Sequence, residues 1–290
     1  MAKPFTTPAS AAAEIAGQIR RYDNDRYLSA LFAPAAERAA LLALYAFNLE
    51  IARVRELVNE PLPGQIRLQW WRDSVAAIYE ESPPRRHVVC QALADAVRDH
   101  GLCRTHLETL IDARERDLAD RAPADLPALL SYAEDSAATL VALALEVLGQ
   151  SDGAAQAAGR DVGIAWALTG LLRAIPFHAG ARRIYLPADR MAAAGLVLED
   201  YFTLRPSDAL CRVVVEVAAE ARARLAAARS LRSQVPRPAL PALLPAVIAE
   251  AWLRQLARHG HDPLAPALAW RRAGTGRVLR VTLAAARGRY

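Results

Sequence analysis

Lysine is nearly missing from this sequence. Lys3 is the only one, and arginine supplies the rest of the 36 basic residues, set against 31 acidic ones. The resulting charge of +5 suits anionic partners such as acidic lipid or diphosphate, and it equally suits a plain arginine-rich surface. Nothing in the pattern points to nucleic acid. Cysteine is scarce too: Cys90, Cys103 and Cys211 are too few and too scattered for a disulfide framework, which points to a reducing, cytoplasmic compartment. In HGLCRTH, Cys103 stands between His100 and His106, but Gly101 interrupts the run and no fourth ligand follows, so the reading is against a metal there. No stretch reaches about 18 uninterrupted apolar residues, which excludes a spanning helix but not surface association. The opening MAKPFTTPASAAAEIAG has no long apolar core, so neither a secretory signal nor a clear transit peptide is expected. A Gly-rich phosphate loop, a Ser-His-Asp arrangement and internal repeats are all missing, and the late AGTGR lacks a preceding strand.

What is there is alanine and leucine. Apolar residues make up 53% of 290, enough for a sizeable core, while β-branched residues are sparse and no hairpin turn separates alternating strands. The class is therefore all-α. Residues 1–15, with their Thr, Pro and Ser, read as a loose end, and 16–290 as one large helical domain. Pro34 opens a helix expected over 35–58 and closed by Pro61 and Pro63. Further helices are expected over 64–79, 87–100 and 104–120, then a long apolar one reaching 148, and later over 188–194, 208–233 and 241–259. Trp70 and Trp71 cannot both face the core of the 64–79 helix. The final WRRAGTGRVLRVTLAAARGRY alternates basic and apolar residues; it suits either an anionic membrane surface or ordinary packing of a terminal helix.

The organising stretch is GIAWALTGLLRAIPFHAGARRIYLP, Gly163 to Pro187. Ala165, Leu168, Thr169, Leu172 and Ile175 form one apolar stripe, and Pro176 ends or kinks the helix because it cannot donate to the carbonyl of Leu172. Arg173, His178, Arg182, Arg183 and Tyr185 then crowd around a helix end.

This order, with Leu-Leu-Arg before Arg-Arg-Ile-Tyr-Leu-Pro, resembles the second signature of the squalene/phytoene synthase family. Arg38 and Leu44 to Phe47 resemble the lead-in to its first signature, Arg67-Leu68 with Trp70-Trp71 its tryptophan-bearing helix, and Asp117-Leu118 the end of its acidic helix, where Ala113 replaces a glycine. The similarity runs in unbroken order over about residues 20–270. It implies an isoprenoid-synthase-type helical bundle with a central cavity, for which Tyr45, Trp70, Tyr132, Thr139 and Thr169 are candidate lining residues. Tyr132 with Ala137, Ala138 and Thr139 resembles the helix whose small side chains leave room for a prenyl tail; small residues also simply permit close helix packing.

In active members, aspartates of both signatures are implied to hold Mg²⁺ against a prenyl diphosphate. The corresponding positions here are Ala52, Arg53, Ala174 and His178, and only Glu56 remains acidic, flanked by Arg53 and Arg55. Glu50 and Glu60 read as helix ion-pair partners rather than displaced ligands. LRAIPFHAGARRIYLPAD resembles most closely the non-catalytic branch linked to assembly of respiratory NADH:ubiquinone oxidoreductase, complex I. The expectation is therefore a scaffold without catalytic residues, metal or cofactor. It would bind a complex I subunit or assembly intermediate, or an anionic lipid or prenyl diphosphate gripped by Arg53, Arg173, Arg182 and Arg183 with Glu56, His178 and Tyr185 nearby. Such a protein is expected in the cytoplasm or peripherally on the inner face of the cell membrane. The alternative implied by the family is a Mg²⁺-dependent head-to-head prenyltransferase condensing two farnesyl or geranylgeranyl diphosphates. His178 can equally be a buried hydrogen-bonding residue.

Overall fold

Helical spacing is obeyed throughout, and no strand occurs among the residues described by the computed structural model, 8–151, 153–268 and 275–290. The first helices are α1 (Pro8–Tyr22), α2 (Asn24–Ala30), α3 (Ala35–Ala52), α4 (Pro61–Tyr79), α5 (Val88–His100) and α6 (Arg104–Arg116). They are followed by α7 (Leu126–Ala133), α8 (Thr139–Val147), α9 (Gly153–Arg173), α10 (Ile175–Gly180), α11 (Ala188–Ala194) and α12 (Leu198–Phe202). The chain closes with α13 (Asp208–Ser230), α14 (Leu240–Leu243), α15 (Pro245–Arg258) and α16 (Thr275–Ala286).

Helix α9 is the hub, packed on α8, α13 and α15. Its glycines explain how closely its neighbours approach. A Cβ built on Gly163 would stand 2.4 Å from Cα of Ala138, so the small residues Ala137 and Ala138 pack against helix backbone, the packing use of a small-residue run. Around α9 lies one continuous core that takes in Leu41, Phe47, Leu68, Leu110, Leu145 and Val217.

Several expectations are corrected. Residues 8–15 belong to α1, and Ile15 is buried, because the alanine-rich run forms a face that docks on α3. Residues 1–7 of the expected loose end lie outside the described residues. Helix α3 stops at Ala52, followed by one 3₁₀ turn over Val54–Glu56. Pro61 begins α4 instead of closing α3, since the first turn needs no N–H from a proline. Helices α7 and α8 are joined by a π-helical turn at Glu134–Ala138, giving an apolar run of 22 residues, Leu126–Val147, long and apolar enough to cross a membrane. Leu129, Leu140, Leu143 and Leu145 of that run are buried in the core, as a core helix requires.

Candidate functional site

Helix α9 ends at Arg173, and Pro176 takes the second position of α10, where its missing N–H costs nothing. Helix α10 in turn ends on Arg182, whose φ of +54° is left-handed. The Arg183 N–H bonds back to the carbonyl of His178 at 2.8 Å, closing a C-cap that glycine usually makes. Holding a side chain there costs about 1–2 kcal/mol, and it turns the chain so that Arg183 and Tyr185 face inward while Arg182 stays exposed.

Tyr185 leads to an interior carboxylate. Its hydroxyl donates to Oδ1 of Asp117 at 3.0 Å, the Tyr132 hydroxyl donates to Oδ2 at 3.2 Å, and Arg114 lies 3.6 Å from Oδ2. Arg114 also donates to the Tyr132 oxygen at 2.8 Å. The Asp117 side chain is only 7% exposed. Burial pushes its carboxyl above the ordinary range, against the pull of Arg114 and the two hydroxyls. Both tyrosine hydroxyls are pushed up by the same burial and remain protonated donors. The imidazole of His178 packs at a tilt of 57° against Tyr185 with ring centres 4.5 Å apart, and its Nδ1 is buried with no partner. Burial, helped by Arg183, lowers its pKa to about 4, so the ring is neutral near pH 7. The alternative of a buried hydrogen-bonding histidine is therefore corrected: His178 is half-buried, and its ring packs against Tyr185 without a partner for Nδ1.

The arginines expected to grip a diphosphate are already distributed among acids. Arg53 lies over the Tyr22 ring at 4.5 Å and 4.0 Å from Glu56. Arg182 sits over Phe202 and pairs with Glu199 at 3.7 Å. Arg183 donates to the main-chain oxygen of Arg55 at 3.1 Å and stands 3.8 Å from Asp120, which Arg55 clamps with both arms of its guanidinium. Arg173 is 3.1 Å from Asp25, whose other oxygen accepts from Arg277 at 2.6 Å. Burial draws the Arg173 guanidinium below its ordinary pKa, with Asp25 opposing. A cationic group taken out of water requires such a partner, which is the state of Arg173 and Arg183, whereas Arg53 and Arg182 keep exposed guanidinium groups.

The candidate lining residues also separate. Trp71 is the core member, edge-on to Phe47, while half-buried Trp70 packs against His87 and under Arg85 near the surface. Tyr45 is buried near Arg26, and burial raises its hydroxyl to about 12. Thr169 is fully buried with an unpartnered Oγ1, and Thr139 donates to the Glu134 carbonyl within the π turn. Only Tyr132 joins the Asp117 cluster. Sequence reasoning gave no role to Arg114, Asp25 or Arg277; the DNDR run after α1 was the available signal, but a pairing 148 or 252 residues away has no local signature. His106 binds Glu146 at 2.7 Å, which takes it out of the HGLCRTH motif.

Mg²⁺ takes oxygen ligands in near-octahedral array. Of Ala52, Arg53, Glu56, Ala174 and His178, only Glu56 offers a carboxylate, and that carboxylate lies beside Arg53. Asp117 is committed to two hydroxyls and a guanidinium. Among the described residues no group of three or more His, Cys, Asp or Glu stands together as a metal site. This donor set does not fit the ion.

Comparison with known proteins places these residues in context. The squalene/phytoene synthase model matches residues 19–278. A Bos taurus protein named NADH dehydrogenase (ubiquinone) complex I, assembly factor 6 is 36% identical over 250 residues, covering 86% of this chain and 75% of its own. The presqualene diphosphate synthase of Rhodopseudomonas palustris is 29% identical over 215 residues, covering 73% and 75%. Among solved structures, a squalene synthase from Alicyclobacillus acidocaldarius superposes with a TM-score of 0.76 at 21% identity, covering 89% of this chain and 98% of that one, and so shares the fold.

Proposed function

This chain belongs to the squalene/phytoene synthase family, and we propose that it keeps the family's fold without its catalysis, serving as an assembly factor for respiratory NADH:ubiquinone oxidoreductase. The observation that carries this reading is the state of the acids around the two signatures. Glu56 faces Arg53, Asp117 is tied to Tyr132, Tyr185 and Arg114, and the remaining positions offer no carboxylate. Ionising a prenyl diphosphate requires a positive centre on the departing phosphates, and losing even one preorganised electrostatic group costs about 3–4 kcal/mol of barrier. Tyrosine hydroxyls and a raised Asp117 carboxyl do not replace that centre.

The cluster instead works as a strut. It ties the end of α6, helix α7 and the segment after α10 into one wall, and the clamp of Arg55, Arg183 and Asp120 extends that wall to the end of α3. A rigid wall suits the docking of a protein partner, which is a complex I subunit or assembly intermediate. The reading needs no cofactor and places the protein in the cytoplasm, at the inner face of the membrane where such a partner is built. Relatives named for complex I assembly at 36% identity support it.

Deletion of the gene from its host tests the proposal. Native gels and NADH:ubiquinone oxidoreductase activity should show loss of the assembled complex, restored by the full chain; unchanged complex in the deletion strain overturns it. The presqualene diphosphate synthase relative favours a prenyltransferase as the second reading, and turnover with Mg²⁺ decides between them.

A further inference from the structure

Away from the family signatures, arginines gather at the other end of α9's neighbours. A cleft of about 430 Å³ opens between the end of α13, helix α15 and helix α16. Five arginines line it, Arg229, Arg232, Arg254, Arg280 and Arg289, against one acid, Glu250. A smaller recess of about 140 Å³ continues it past Arg254 and Arg280 to Arg258. Glu250 is consumed by two of them, accepting from Arg229 and Arg254 at 2.7 Å each. The main-chain oxygen of Tyr290 accepts from Arg229 and Arg232, yet Nε of Arg232 stays buried without a partner. Among the described residues, no acid lies within ion-pair distance of Arg258, Arg280 or Arg289. Like charges crowded at this density repel unless an anion enters, and guanidinium forks are shaped for phosphate oxygens.

The helix that carries Arg280 also states what kind of phosphate. Its outward side exposes Val278 (42%), Leu279 (60%) and Leu283 (43%). On its other flank lies a mostly apolar groove of about 510 Å³, walled by Phe32, Pro34, Leu148 and Pro241 with Ala286 of α16, and edged by one acid, Glu37, and one base, Arg237. A free phosphate has no use for exposed leucines between a basic cleft and an apolar groove. An amphipathic helix lying in a lipid interface has use for both. We propose that the cleft between α13, α15 and α16 binds the phosphate headgroup of an anionic phospholipid, with the outward face of α16 seated among the acyl chains. This surface is distinct from the assembly-factor reading, and either can fail without the other.

The test is flotation of the full chain with phosphatidylcholine vesicles, with and without phosphatidylglycerol. Binding is expected only with phosphatidylglycerol and is expected to weaken as salt rises. Arg258→Glu with Arg280→Glu should lower the bound fraction about tenfold or more, since each basic residue near an anionic surface is worth about 1 kcal/mol. Leu279→Ser with Leu283→Ser should also release the protein. Arg98→Glu, on the exposed side of α5, should leave binding unchanged, and thermal melting should confirm that every variant is folded. Equal binding by the Arg258/Arg280 variant, equal binding to both vesicle types, or absence of wild-type binding overturns the proposal. So does binding of inorganic phosphate by the cleft in a protein that ignores vesicles.

Discussion

The Tyr185 hydroxyl donates to Oδ1 of Asp117 at 3.0 Å, joining residues 68 positions apart in sequence. This bond turns an acid at the end of α6 into an interior structural joint. Tyr185→Phe removes one of its three supports and should cost about 1 kcal/mol. Asp117→Ala leaves buried Arg114 without its counter-charge and both hydroxyls without their acceptor, and should cost about 3–5 kcal/mol. Urea unfolding of both variants checks the order; equal, negligible losses contradict the joint.

His178 makes stability depend on pH. Its pKa is about 4 in the folded chain, against an ordinary value of 6.5, because burial disfavours the charged ring. Between those values the unfolded chain binds more protons, so stability rises with pH, and it is lost as pH falls from about 6.5 toward about 4. The shift corresponds to about 3 kcal/mol by pH 4. His178→Phe keeps a ring against Tyr185 and removes the titration. Melting curves across that window should therefore be flatter for the variant than for wild type.

The glycines of α9 divide by what surrounds them. Gly163→Ala drives a methyl into the backbone of Ala138 and should destabilise by about 1–3 kcal/mol. Gly170→Ala meets nothing within 4 Å and should stabilise by about 0.5–1 kcal/mol. Thermal melting of the pair reads both signs in one experiment.

How far the sequence is legible follows from the range of the interactions. The helical class and a break near Pro176 follow from local spacing and proline chemistry, and the structure has both, with Pro176 in the first turn of α10. The end of α3 departs from expectation because Pro61, a helix terminator by local rules, serves in the first turn of α4. The partners of the basic residues lie beyond local spacing for a deeper reason. Arg173, Arg182 and Arg183 fall within one short stretch of sequence, but each meets a different acid, Asp25, Glu199 and Asp120, and those pairings appear only once the helices pack.

Asp25 is the largest of these unseen terms. Its side chain is 5% exposed and held between Arg173 and Arg277, tying α2 to the end of α9 and to α16. Asp25→Ala removes the carboxylate shared by Arg173 and Arg277 and should cost about 3–5 kcal/mol. Arg277→Ala leaves the Asp25–Arg173 pair intact, and its own side chain is partly solvated, so the loss should be about 1 kcal/mol. Denaturant titration of the two variants distinguishes a buried triad from a surface pair.

Incubation of the folded protein with farnesyl or geranylgeranyl diphosphate and Mg²⁺, beside an active synthase, tests the central claim most directly. Released pyrophosphate and C30 or C40 hydrocarbon are the readouts. The joint at Asp117 and the pairing of Glu56 with Arg53 predict no metal-dependent turnover from protein whose melting curve shows it intact. Product that requires both the protein and Mg²⁺ would contradict the account and return the chain to the working enzymes of its family.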